Sequence, residues 1–427
     1  MPKVFIELRP LRESRQFRLL YLGQIVSSIG TGVTVVAAPY QVYVLTHSSL
    51  MVGLLGLAQV LPLIAGSLVG GALADAHDRR RVLLLAQVLV GATSMGLALN
   101  AMLSSPMVWL IFVLTTLQAA FYGLDRPTRS AATPALVGPL NLPAALALNQ
   151  LLLQLSIVIG PALGGLLIAK VSMASAYWVD TISFGFAIVA LLLMKPILPE
   201  GGGTKASAAS IAEGVRFLKG RQALQGTFVI DINAMVFGMP RALFPALGTT
   251  VFGGSAAAVG LLYAAPGAGA MIGALTSGWV SRVDRQGRAT ILAVIAWGAS
   301  IAAFGFTRML PMALVLLAIA GASDVISAVF RNTILQLSVP DHMRGRLSSI
   351  HIAVVTGGPR VGDAESGLVA ALTTPAFAVV SGGLLCIAGA LTIGRFMPRL
   401  TDWRLSEHDD PELESGPDEP FDSETGA

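Results

Sequence analysis

The chain has 427 residues, of which 54% are hydrophobic and 12% charged, and a mean hydropathy of +0.73. Soluble domains carry about 25% charged residues, so a water-soluble enzyme or binding module is excluded: the polar surface is too small to cover so much apolar side chain. The formal charge of +4 hides an asymmetry, because from Asp402 onward there are ten carboxylates and one arginine, which leaves 27 basic and 14 acidic residues in the rest.

Apolar runs of about 20 residues recur along the chain, as spanning helices require, whereas barrel strands would alternate in segments of about 10. Residues 1–17 hold a basic stretch with no small-residue cleavage site before the first long apolar run, and are read as a cytoplasmic N-terminal arm. Twelve spans follow at about 18–44, 50–74, 82–102, 107–136, 145–169, 174–194, 224–248, 256–280, 289–307, 311–338, 346–371 and 375–397. Between the sixth and seventh lies a glycine-rich linker, 195–223, in which "IAEGVRFLKG" is read as a short surface helix. Residues 398–427 form an acidic tail rich in Pro and Gly, a composition that cannot bury enough apolar surface to fold. The lone cysteine, Cys386, lies inside an apolar run and rules out an intramolecular disulfide.

Cytoplasmic loops of membrane proteins collect Lys and Arg. With the N-terminus in the cytoplasm, 24 of the 28 basic residues fall on inner arms, loops and helix ends; Lys170 and Arg308 fall outside, and Arg241 and Arg360 within spans. Both termini are therefore expected in the cytoplasm, in a cell inner (plasma) membrane.

The chain is also written twice. Residues 53–75 and 260–282 match at an offset of 207 through Gly53/Gly260, Leu54/Leu261, Leu55/Leu262, Ala58/Ala265, Gly66/Gly273, Leu68/Leu275 and Gly71/Gly278. A second echo pairs Arg129 with Arg331. Six helices, a long linker and six related helices predict an all-α membrane protein of two six-helix pseudo-symmetric bundles, 18–194 and 224–397, an architecture used by transporters that rock two halves about a central site.

The second span ends in "GALADAHDRRR", residues 71–81. This stretch resembles the loop between helices 2 and 3 of the major facilitator superfamily, a Gly-x-x-x-Asp followed by a basic cluster. The resemblance implies a gating motif of Gly71, Asp75, Arg79 and Arg80, with Gly71 packing closely against the other half and Asp75 pairing across the interface in one conformation. Asp78 stands where the family often has glycine. "GPALGG" in helix 5 is similar to a signature of the superfamily's exporters; Pro161 bends the helix, and Gly160, Gly164 and Gly165 give a smooth contact face. Ordinary small-residue packing is the alternative. Longer strings, "HSSLMVGLLGL", "AATPALVGPLNLPAALAL", "GLLYAAPGAGAMIGALTSG" and "TILQLSVPDHMRGRL", resemble the siderophore exporters of the superfamily, those of the enterobactin type, over the chain to about residue 397.

Ionisable groups at the bilayer centre cost roughly 2.5 kcal/mol or more and need a reason. Asp231, Asp324, Arg360 and Asp363 lie in the middle portions of helices 7, 10 and 11, Arg241 lies farther outward, and Asp125, Arg126, Arg129 and Arg331 lie near the cytoplasmic ends. The resemblance implies that helices 1, 4, 7 and 10 line a cavity, and all of these charges except Asp180 avoid the outer helices. Arg360 and Asp363 are three apart and Asp125 and Arg129 four apart, so each pair can meet on one helix face, either as a neutralised structural pair or as part of a proton-coupling or substrate site. Asp231, Asp324 or Asp363 is expected to couple proton entry to substrate exit. His351 is a weaker proton candidate, and Gln24, Asn149, Gln150 and Gln154 could line the cavity or join helices.

No G-x-x-x-x-G-K-[ST], H-E-x-x-H or G-x-S-x-G pattern occurs. No catalytic group, cofactor or metal site is expected, and no nucleic-acid partner. The reading is a monomeric secondary active exporter of a small molecule, most simply a siderophore of the enterobactin type, driven by protons through alternating access. The runner-up is a multidrug proton antiporter for macrolide- or tetracycline-like compounds. A membrane enzyme or non-transporting receptor would leave the two-half design idle.

Overall fold

The computed structural model describes residues 7–199, 213 and 216–406, and these are helical with no strand among them. A short α1 (Arg9–Glu13) leads through Ser14, whose hydroxyl accepts from Phe17 N, into α2 (Arg15–Thr46). Then come α3 (Ser49–Ala58), α4 (Val60–Ala76), α5 (Arg79–Ala101), α6 (Val108–Lys170) and α7 (Met173–Leu192). After the linker come α8 (Gln222–Phe237), a 3-10 turn (Arg241–Leu243), α9 (Phe244–Thr250), α10 (Ala256–Leu275), a second 3-10 turn (Ser277–Arg282), α11 (Gln286–Phe306), α12 (Leu310–Leu337), α13 (Asp341–Leu372), α14 (Pro375–Phe396) and α15 (Pro398–Thr401). Ten of these segments are long and apolar enough to cross a membrane, with Ser49–Ala76 and Gln222–Thr250 each taken as one.

The 63 residues of α6 would run about 95 Å if straight, three times the roughly 30 Å apolar core of a bilayer. Gly138 breaks the run: its φ of 70° and ψ of 172° belong to a region open essentially to glycine alone, and Pro139 follows. Contacts with α2 show the result. Before the break, Arg129 meets Gln24 and Tyr122 meets Thr31, so residue numbers run oppositely; after it, Tyr21 meets Leu148 and Gly32 meets Gly160, so they run together. The helix thus folds back into two antiparallel limbs.

Packing repeats along the chain. In the N-terminal part α2 packs on α7 and on α6, α5 on both α6 and α7, and α4 on α6; in the C-terminal part α8 packs on α14 and α13, α11 on both α12 and α14, and α10 on α12. Glycines matched in sequence meet matched partners: a Cβ on Gly66 would fall on the backbone of Ala120, and one on Gly273 on that of Ala322. Ala120 and Ala322 are 202 residues apart, the same interval as Arg129 and Arg331. The buried apolar cores follow suit, one drawn mainly from residues 33–178 and the larger from 230–403.

The chain after α14 departs from the expected tail. Leu400 is fully buried beneath Gly226 and Gly287, Trp403 is buried with its indole nitrogen donating to Ser338 Oγ at 3.2 Å, and Asp284 holds Ser406 N at 3.0 Å. Two large apolar side chains therefore anchor residues 398–406, which composition had joined to the acidic run; the rest of that expected tail, 407–427, lies outside the described residues, as does part of the expected 211–220 helix, of which 216–218 are helical.

Candidate functional site

The N-terminal and C-terminal parts meet along two crossings, α6 with α10 and α13 with α3. At the first, a Cβ on Gly165 would lie 2.6 Å from Ala256 O and 2.7 Å from Gly260 Cα. At the second, one on Gly53 would lie 2.3 Å from Asp363 O, and one on Gly367 2.6 Å from Ser49 O. These crossings sit toward the end of the helices that carries the short loops 47–48, 171–172 and 373–374. Small residues let the backbones touch there. Toward the opposite, arginine-rich end the glycines of the repeat lack such contacts: Gly71 and Gly278 have no neighbour within 4 Å of a built Cβ.

In this conformation two contacts expected of the helix 2–3 motif are not made. Gly71 does not pack against the other part of the chain; the close-packed glycines of α4 are Gly66 and Gly70, against α6. Successive helix positions point about 100° apart, so the neighbour of a contact residue faces elsewhere. Asp75 is exposed and has no hydrogen bond or ion pair among the described residues. The basic cluster instead binds its own part of the chain. Arg79 donates to Ala74 O and Ala131 O at 3.2 and 3.0 Å, and Arg80 to Leu191 O and Leu192 O, both at 2.7 Å; of these acceptors, Ala74, Leu191 and Leu192 lie in the last turns of α4 and α7, where carbonyls are left free. Asp78 caps α5 by accepting from Arg80 N and also takes Ile197 N, a role glycine could not fill.

The exporter-like stretch in the second limb of α6 uses both faces. Gly160 and Gly164 lie against Gly32 and Val33 of α2, while Pro161 O and Gly165 lie against Gly260 of α10.

The described residues hold two buried charge clusters, one in each part of the chain. In the first, Asp125 and Arg129 form a two-pronged pair at 2.8 and 2.9 Å, one turn apart on α6; Gln87 of α5 donates to Asp125 Oδ1 at 2.8 Å and Arg129 reaches Gln24 of α2. In the second, Arg331 of α12 lies 2.8 Å from Asp231 of α8 and 4.0 Å from Asp324, and donates to Ser327 Oγ at 2.9 Å. Asp231 is 1% exposed and Arg331 4%, so each neutralises a charge that hydrocarbon could not hold alone. Asp231 Oδ2 and Arg331 Nε have no hydrogen-bond partner among the described residues. A small cavity lined by Thr227, Phe228, Arg331, Asn332, Leu335 and His351 adjoins the second cluster, and the His351 ring meets Phe228 edge-on. Such a pair can release a carboxylate for protonation whenever its arginine turns to another anion.

Arg360 and Asp363 do not form the ion pair that their spacing allows. Asp363 Oδ1 accepts from Ala242 N at 3.1 Å, and Arg360 turns to α3, donating to Gly56 O and Gln59 Oε1. Arg241 sits in the 3-10 turn after the Gly238–Met239–Pro240 interruption; its carbonyl accepts from Tyr263 and its buried Nε has no partner among the described residues.

Asp180 of α7 is wholly buried with hydroxyl partners rather than a cation. Thr34 and Ser94 donate to its Oδ2 at 2.6 and 2.7 Å, and Gln118 donates to Ser94 in turn. The partners Gln87, Ser94, Gln118 and Gln59 escaped the sequence reading. Each is an uncharged polar residue in an apolar run, a signal that also marks simple helix-to-helix bonding.

Residues 6–425 of the chain match the family described as transmembrane secretion effector. The chain is 34% identical to the protein named Enterobactin exporter EntS of Shigella boydii serotype 18 over 91% of this chain and 93% of that protein, and equally to its namesake in Escherichia coli O127:H6. Among solved structures it resembles the nucleoside transporter NupG, with a TM-score of 0.75 at 11% identity, covering 89% of this chain and 99% of the other. A peptide transporter, POT, gives 0.74 at 12% identity over 91% and 95%. The fold is thus that of known membrane transporters.

Proposed function

The chain belongs to the transmembrane secretion effector family, and from that premise we propose that it is a secondary active exporter of a siderophore of the enterobactin type, driven by protons through alternating access. The observation that carries the substrate class is the 34% identity to enterobactin exporters, spread over nearly the full length of both chains. Twelve crossings in two six-helix bundles fit the fold: the two limbs of α6 count as two, and α13, too rich in charge to stand among the ten apolar segments, makes the twelfth. The repeated packing and the matched pairs Ala120/Ala322 and Arg129/Arg331 support a two-fold relation between the bundles.

On this reading both termini face the cytoplasm of an inner membrane and the seam opens inward, since the close crossings lie away from the arginine-rich end. Gly71, Asp75, Arg79 and Arg80 form the inner gate, whose cross-bundle contact is unmade in this conformation. Asp125 with Arg129 and Asp231 with Arg331 and Asp324 form the coupling and substrate region, to which Arg241 adds positive charge. Planar guanidinium groups stack on rings and donate several hydrogen bonds at once, which suits a polyoxygenated aromatic cargo. The protein acts as a monomer.

The test is export. In a host lacking its own siderophore exporter, expression of this chain should restore the secreted siderophore in the medium, and Asp231→Asn should lower it. A drug-resistance gain without restored secretion would favour the multidrug alternative, which the arginine-rich seam also accommodates.

A further inference from the structure

The long helix formed by α3 and α4 is interrupted at Gln59, where the hydrogen-bonding ladder ends and a new helix begins without a side-chain cap. An interruption inside a membrane leaves carbonyl groups without donors, and such groups must be satisfied by protein. At the interruption Gly56 O keeps only a short-range bond from Gln59 N at 3.2 Å, and a second donor comes from elsewhere in the fold. Arg360 of α13 donates to Gly56 O at 3.2 Å and to Gln59 Oε1 at 2.5 Å. One turn on, Asp363 is held by Ala242 N. Its own backbone carbonyl, together with Ala364 Cα, lies where a Cβ on Gly53 would fall. Arg360 is thus placed by α13, fixed from behind through Asp363, and pointed at the one irregular point of the opposing helix.

We propose that Arg360 is the latch of the closed end of the seam: its guanidinium caps the interrupted helix at Gly56 and Gln59 and so holds shut the side opposite to the arginine-rich end. The proposal rests on the two-bundle, alternating-access reading given above. It assigns Arg360 to gating instead of to substrate contact. When this end opens, Gly56 O loses a cross-seam donor and the α3–α4 joint can straighten or hydrate. The same side chain therefore closes one end and sets the local shape of the helix there.

Electron-electron distance measurement on the full chain in lipid nanodiscs tests this without any substrate, so a wrong substrate assignment would not affect it. With Cys386→Ala as background, spin labels go on Val44→Cys and Leu372→Cys, exposed positions on opposite sides of the closed end. The parent should give one short distance. Arg360→Gln should shift the population toward a longer distance by about tenfold or more, the effect of losing a charged hydrogen bond. Gln59→Ala, a milder change on the opposite helix, should shift it in the same direction, and the double variant no further than Arg360→Gln alone. Arg360→Lys should fall between, keeping charge but not the fork. Unchanged distances in both single variants overturn the proposal, as do shifts that add independently. A thermal melt of each variant by circular dichroism identifies any that is merely misfolded; Gln59→Ala then carries the test.

Discussion

Arg129 and Arg331 stand 202 residues apart in matched places, yet they find their carboxylates by different routes: Arg129 pairs along its own helix with Asp125, and Arg331 reaches from α12 to Asp231 on α8. The first pair can form wherever α6 goes. The second exists only while α8 and α12 hold their present relation, so it joins electrostatics to helix position.

Removing Arg331 should therefore be more damaging than removing Arg129. Arg331→Ala leaves Asp231 buried and unpaired, a loss of about 3–5 kcal/mol where the charge cannot be relieved. Arg331→Ala combined with Asp231→Asn should recover much of it. Cys386 is the one cysteine and is wholly buried, so a fluorogenic thiol dye reports unfolding directly; equal melting temperatures for the single and double variants would contradict this account.

Asp180 should behave as a hydrogen-bonding hub instead of a charge carrier, since its partners are Thr34 and Ser94 and no cation approaches within ion-pair range among the described residues. Asp180→Asn keeps the acceptor and should leave stability within about 1 kcal/mol. Asp180→Ala strands two buried hydroxyls and should cost about 1–3 kcal/mol. The same dye-based melts separate the two outcomes.

Gly165→Val should block the seam. Its added carbons would fall on Ala256 O and Gly260 of the opposing helix, backbone that cannot step aside. Overpacking costs about 1–3 kcal/mol. Gly71→Val, which meets open space in this conformation, should leave the melting temperature unchanged. Export measured beside the melts should fall sharply for Gly165→Val.

The C-terminal strap should let go in acid. Asp284 lies in the loop before α11, outside the spans, and its carboxyl is held below the usual carboxylate value of 3.8, first by the Ser406 backbone N–H and then by the Ser406 side chain, with Arg404 and Arg285 nearby. A depressed folded-state value means that the contact is at full strength above about 3.8 and is lost as pH falls through the lower, folded value. Amide exchange at Leu405 and Ser406, corrected for intrinsic rates, should rise in that window, and Asp284→Ala, which removes the acceptor, should show the fast rate already at neutral pH.

Much of the fold was legible because its causes are local. Apolar run length gives the ten segments able to cross a membrane, and the sequence repeat shows in the glycines at 53, 66, 260 and 273, which mark places where backbones touch. What escaped depends on which way a side chain turns in three dimensions. Arg360 and Asp363 have the spacing of an ion pair, but each finds a better partner on another helix. Gly71 carries the motif, while Gly70, one position away, carries the contact. Leu400 and Trp403 stand just ahead of the acidic run that begins at Glu407, and the composition of that run concealed two anchors.

Gly138 has one further effect. With no slack loop between them, the two limbs of α6 are joined directly, as the arms of a single bent lever. The first arm holds Asp125 and Arg129, and the second holds Gly160 through Gly165 at the crossing with α10. On the exporter reading proposed above, displacing the ion pair on one arm would tug, through a fulcrum one residue wide, on the joint that the other arm makes with the opposite side of the molecule.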